Sequence, residues 1–96
     1  MFIVSITYNC PLEEVDRHLD AHVAYLQQEY ANGSFVASGR KVPRTGGVIL
    51  SNLKTRQELE AVLAKDPFAQ AGIAEYETIE FAVSMVAAGF ENLQEQ

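Results

Sequence analysis

Apolar residues open the chain at every second position. Phe2, Val4, Ile6 and Tyr8 share one face and Ile3, Ser5 and Thr7 the other, the pattern of a β-strand. Asn9-Cys10-Pro11 breaks it. The period then lengthens: Val15, Leu19, His22 and Leu26 fall three or four residues apart, which predicts one long helix over residues 11–31. Pro11 suits a first helical position, Glu13 and Glu14 lie near the positive end of the helix dipole, and Asn32-Gly33 can adopt the left-handed stop. Residues 34–39 and 47–51 read as two strands joined by the hairpin loop Arg40-Lys41-Val42-Pro43-Arg44-Thr45-Gly46. Thr55 with Glu58 three positions on is a capping box, and Leu59, Val62 and Leu63 give the helix it opens an apolar face. Asp66-Pro67 ends that helix and can cap a short turn over residues 68–71, closed at Gly72. Residues 76–83 alternate again as a fourth strand. Val86, Phe90 and Leu93 make residues 84–96 too apolar for a free tail, so the tail is expected to pack, with a dimer partner as its support.

The order β-α-β-β-α-β is that of a ferredoxin-like α+β fold: a four-stranded antiparallel sheet with both helices on one face. The 96 residues suffice for a single domain, 1–96. The other face of the sheet has no cover within the chain yet carries apolar groups, so a two-fold homodimer pairing sheet with sheet is expected. A net charge of −6 disfavours both nucleic acid and anionic membrane surfaces as partners. No run of apolar residues reaches the length of a membrane span, and Met1-Phe2-Ile3-Val4-Ser5 reads as a strand, not a leader. The one cysteine, Cys10, has no intrachain mate, which points to a reducing, cytoplasmic setting.

His22 is the residue whose chemistry fits its position least. It falls on the apolar stripe of the first helix, where an imidazole leaves water on folding and needs a polar partner. Asp66 is the partner expected from a distant stretch of chain. Such a pair is ordinary equipment for proton transfer near neutral pH, and equally can serve as structural glue. Asp66 can also be fully accounted for as a cap, and one carboxylate can do both. His18 lies four residues before His22, a spacing that can bind a metal, but nothing completes a ligand set and no metal is expected. Arg40, Lys41 and Arg44 crowd three of the seven basic residues into five positions. They make either a solvated loop or a cap that draws an anionic substrate over a cleft. Ser38 could donate to substrate, Tyr8 and Tyr25 could line a pocket or fill core, and Cys10 has no neighbouring base. With no phosphate-binding or nucleotide motif, no bound cofactor is expected.

Several short pieces, in this order and spacing, resemble the YciI-like family of the dimeric α+β barrel superfamily. They are His22 with Tyr25-Leu26, Gly33, Ser38-Gly39, Pro43-Arg44-Thr45-Gly46-Gly47, and Asp66-Pro67-Phe68 with Ala71-Gly72. The resemblance spans roughly residues 2–83. It implies a dimer whose cleft brings His22 and Asp66 together; the residues expected to bind substrate there are Tyr8, Ser38, Gly39, Arg40, Arg44 and Phe68. Relatives include dehalogenase-type enzymes, and others on the superfamily fold hold haem through a helix histidine. The chain departs from the commonest pattern at Arg40, where many members carry proline, and at Leu19, where some carry arginine.

The leading expectation is a small-molecule enzyme that uses His22 and Asp66 for acid–base chemistry of the isomerase, lyase or dehalogenase type on a small anionic substrate. The alternative is a non-catalytic metabolite-binding or accessory interaction domain.

Overall fold

The computed structural model describes residues 1–94; the last two residues of the expected tail lie outside them. The chain runs β1 Phe2–Tyr8, α1 Leu12–Arg17, α2 Leu19–Ala31, β2 Phe35–Arg40, β3 Gly46–Ser51, α3 Arg56–Leu63, α4 Pro67–Gln70 and β4 Ala74–Glu80, with a 3₁₀ turn at Glu91–Leu93. The strands form one antiparallel sheet in the order β2-β3-β1-β4, the ferredoxin-like arrangement.

The alternation of β1 sets the core. Phe2, Val4 and Ile6 point to the helix side, where they meet Ile49 of β3, Tyr25 of α2, and Leu59 and Leu63 of α3. Each such side chain, fully buried, contributes about 1.5–3 kcal/mol. A second cluster, Val15, Phe68 and Ile73, ties α1 and α4 to the end of β1 through Tyr8. On the opposite side of the sheet, Ile3 pairs across to Leu50 and to Ile79, and Ser5 to Val48. Among the described residues no helix covers this face: Ile79 is 60% exposed.

The single helix expected over residues 11–31 is divided. His18 has φ −105° and ψ 1°, and its N–H reaches only three residues back, to Val15 O at 3.0 Å. The α-helical ladder therefore stops and restarts at Leu19. The buried side of α2 is His22, Tyr25 and Glu29, while Leu19 and Leu26 are only half-buried. The fourth strand is also displaced from its expected span of 76–83. It pairs with β1 from Tyr8 opposite Ala74 to Phe2 opposite Glu80, and Phe81 N–H still reaches Met1 O at 2.9 Å.

Two local signals act as expected. Thr55 Oγ1 accepts the Glu58 N–H at 3.1 Å and donates to Glu58 Oε1 at 3.0 Å, closing the start of α3. Gly33 takes φ +80° at the end of α2. Gly46 has a different reason to be glycine: a Cβ there would lie 1.7 Å from the carbonyl oxygen of Ile6. The close approach of β3 to β1 thus forbids any side chain.

Candidate active site

Asp66 sits where α3 has ended and α4 begins, with Pro67 fixing the first helical turn. Its side chain is fully buried. Oδ1 accepts the Phe68 N–H at 2.9 Å, the cap expected of an Asp-Pro start. The same oxygen lies 2.8 Å from His22 Nδ1, and Oδ2 accepts from the Tyr76 hydroxyl at 2.5 Å. Donors from α2, α4 and β4 therefore converge on one carboxylate. Removing a charge from water is costly unless such partners replace it, and here three do.

Two tyrosines hold the surroundings in a donor state. Burial, and then the bond and charge of Asp66, push the Tyr76 hydroxyl far above its ordinary 10.0. Burial, and then the charges of Asp66 and Glu29, raise Tyr25 as well, and its hydroxyl donates to Val62 O at 2.8 Å.

The imidazole is fixed on two sides. Its ring stacks on Phe68 with centroids 3.9 Å apart and planes 5° from parallel. With Asp66 accepting, Nδ1 carries the proton, and a neutral ring then presents the Nε2 lone pair on its other edge. His22 lines a cleft of about 160 Å³ between α2, the ends of β1 and β2, and the start of β3.

Of the residues expected around a substrate, Tyr8, Ser38, Gly39, Arg40 and Arg44 line this cleft with His22. Apolar walls come from Ile6, Leu19, Val23 and Leu26. Phe68 is a correction: it is 1% exposed and does not reach the cleft. Its place at the start of α4 puts it behind the imidazole, against Val15 and Ile73, where it is a platform for the ring. Lys41 is a second correction to the basic cap. One residue past the end of β2, it turns to the open side of the sheet and donates to Thr7 Oγ1 at 3.1 Å. Ser38 is engaged, with Tyr30 Oη 2.5 Å from its Oγ. Arg44 Nη2 donates to Asp16 Oδ1 at 2.7 Å. His18 faces Glu14 at 3.7 Å, and among the described residues no group of three or more His, Cys, Asp or Glu is arranged to hold a metal ion.

Tyr76, Tyr30 and Glu29 escape a reading of the sequence. Tyr76 is one of several alternating strand residues, and only its sheet pairing with Ile6 shows that it arrives beside the helix layer. Glu29 looks like a solvated helix residue but is 2% exposed. Lys65 reaches its Oε2 at 3.1 Å, while Oε1 is buried without a hydrogen-bond partner. Burial alone would raise its pKa; the Lys65 bond, with Ser34 and Asn32 close by, outweighs that and holds it below the ordinary 4.5. Because Lys65 precedes Asp66, this pair anchors the segment that presents the carboxylate to His22.

A larger hollow of about 670 Å³ lies at the other end of the strands, among Asn52, Lys54, Glu80, Phe81 and the tail. It has more room, but none of the groups expected to do chemistry.

The family model for the YCII-related domain matches residues 1–82. The chain belongs to the YCII-related domain family. No curated protein matches this YCII-related chain in sequence. Nine chains among solved structures do match it. One is 5-chloro-2-hydroxyhydroquinone dehydrochlorinase from Burkholderia phenoliruptrix, in complex with 2,5-dihydroxybenzoquinone, at a TM-score of 0.71 and 19% identity. The match covers 88% of the YCII-related chain and 96% of the dehydrochlorinase. At that identity it shows the shared fold. Among the described residues no helix is long and apolar enough to cross a membrane.

Proposed function

We propose that this YCII-related protein is a small-molecule enzyme in which His22 moves a proton and Asp66 fixes the ring. One observation carries the reading. An imidazole whose Nδ1 is 2.8 Å from a buried carboxylate lines a cleft that also holds two guanidinium groups, Arg40 and Arg44. The free edge of the ring is then a base. Nε2 takes a proton from a carbon beside a carbonyl, and the electron pair moves onto the carbonyl oxygen. Negative charge gathers there and faces the arginines. Collapse of that enolate either returns the proton to another carbon, an isomerisation, or expels a leaving group such as halide with its electron pair, an elimination. A dehydrochlorinase on the same fold supports the second outcome. The substrate class is a small organic anion, and no cofactor enters this chemistry.

We also propose that the working unit is a homodimer closed over the open sheet face, with Ile3, Leu50 and Ile79 in the seam. The exposure of Met85, 86%, and Phe90, 57%, supports a tail that packs on the partner in this reading. The single, unpaired Cys10 fits a cytoplasmic setting.

The test is a screen of small carboxylates, lactones and hydroxyquinones for thermal stabilisation and for turnover, repeated with His22→Ala. Turnover should fall by about 10²–10⁴-fold while the ligand still binds. A ligand that stabilises both proteins equally, with no turnover by either, would overturn the enzyme reading in favour of a metabolite-binding domain.

A further inference from the structure

The two arginines of the cleft are not in the same state. Arg40 has no ion-pair partner among the described residues. Arg44 is already held: its Nη2 donates to Asp16 Oδ1 at 2.7 Å. Asp16 belongs to α1, contributes nothing to the cleft wall, and has a side chain 53% exposed, against 24% for Arg44. A single-contact pair in that much solvent is weak, and a ligand anion can replace it. Arg44 rides on a loop whose tip is lightly held, with Val42 94% exposed, while both ends of the loop are tied down by Lys41 N–H to Gly46 O and Tyr8 N–H to Thr45 O. The guanidinium can therefore change partner without the strands changing register.

We propose that Asp16 is a specificity-determining residue: a resident carboxylate that occupies Arg44 in the ligand-free protein and yields it only to a ligand anion reaching both Arg44 and Arg40. This rests on the reading of the cleft as an anion-binding site given above. The exchange trades one carboxylate for another at Arg44 and adds Arg40, so net affinity comes from ligands whose charge lies between the two. A neutral ligand of the same shape cannot displace Asp16, and at Arg40 it gains only the weaker hydrogen bond of an uncharged acceptor. Asp16 thereby raises the threshold for weak or misplaced anions.

The test is calorimetric titration of the full chain with 2,5-dihydroxybenzoquinone, benzoate and sulfate, and with the neutral 2,5-dimethoxybenzoquinone. Asp16→Asn should tighten binding of the anions about two- to fivefold and leave the neutral quinone unchanged. Glu13→Gln, which removes the same charge from the same helix with no contact to Arg44, should change nothing. Arg44→Gln should weaken the anions roughly tenfold or more, and adding Asp16→Asn to it should have no further effect. If Asp16→Asn matches the parent, or Glu13→Gln matches Asp16→Asn, while Arg44→Gln still weakens binding, the role given to Asp16 is wrong and the anion cleft stands. If Arg44→Gln has no effect, or no anion binds the parent, the anion cleft itself is wrong and this proposal goes with it.

Discussion

Tyr76→Phe removes one oxygen from the wall behind the imidazole and leaves the ring that packs beside Ile6. What it takes from Asp66 is one of three hydrogen bonds, the one to Oδ2. The carboxylate is fully buried, so water does not replace the lost donor. A hydrogen bond to a charged group contributes about 1.5–3 kcal/mol, and that is the expected loss. For a domain of this size each kcal/mol moves the melting temperature by about 4–8 °C, so the drop should be roughly 6–24 °C. Urea and thermal unfolding measure it, at one fixed protein concentration because a dimer would couple Tm to concentration. Asp66→Asn supplies the cycle. Its amide presents N–H where Oδ2 accepted, so the bond to a charged group becomes at most a neutral one accepted by the hydroxyl oxygen, and Tyr76→Phe should cost less in that background. The alkaline limb gives an independent reading. Tyr76 has its folded value raised above 10.0, so its contribution is fully present below pH 10 and fades as pH rises past it. Tyr76→Phe should therefore lose its disadvantage in strong alkali. A loss under about 0.5 kcal/mol at pH 7, or equal costs in both backgrounds, would show that the third donor contributes nothing.

Three other substitutions probe separate parts of the fold. Gly46→Ala forces a methyl against the Ile6 carbonyl, so β1 and β3 must part; a loss of about 3 kcal/mol or more is expected in urea unfolding, and an unchanged midpoint would refute the close approach. Glu29 has its folded pKa below 4.5, so its stabilisation is present above that pH and is lost as pH falls through the lower folded value. Lys65→Met, which strands that carboxylate, should accordingly cost more at pH 7 than at pH 3, whereas equal costs would deny the ion pair any weight. Leu50→Lys places a charge opposite Ile3 on the open sheet face; sedimentation equilibrium should show a folded monomer, and an unchanged dimer would move the seam elsewhere.

Much of the architecture is written in local patterns. The period-two run of β1, the Thr55–Glu58 cap and the Asn32-Gly33 stop each act within a few residues, so sequence suffices to read them. His22 stands out because a polar ring interrupts an apolar stripe, and Asp66 because Asp before Pro is a cap. What stays hidden depends on distant pairing. Tyr76 reaches Asp66 only because β4 runs beside β1 with Tyr76 opposite Ile6. Glu29 is buried because α2, restarting at Leu19, turns His22, Tyr25 and Glu29 inward together, after a break that no glycine or proline marks. Phe68 carries the same apolar signal whether it touches a ligand or backs a ring; its burial beside Val15 decides. Lys41 and Arg40 are neighbours, yet strand alternation sends them to opposite sides of the sheet.

The hairpin between β2 and β3 supplies both guanidiniums at the mouth of the cleft, whereas the imidazole and its carboxylate are bolted to helices and sheet behind it. On the proposed reading, the charge that recognises an anion and the base that moves a proton thus come from different segments of chain. Residues 40–45 can be rewritten to suit a different guest molecule with the His22–Asp66 pair left in place, provided the new ribbon still sets positive charge against the enolate, and Gly46 marks the splice point that any graft must respect. Diversification on this scaffold can proceed through one short ribbon of chain.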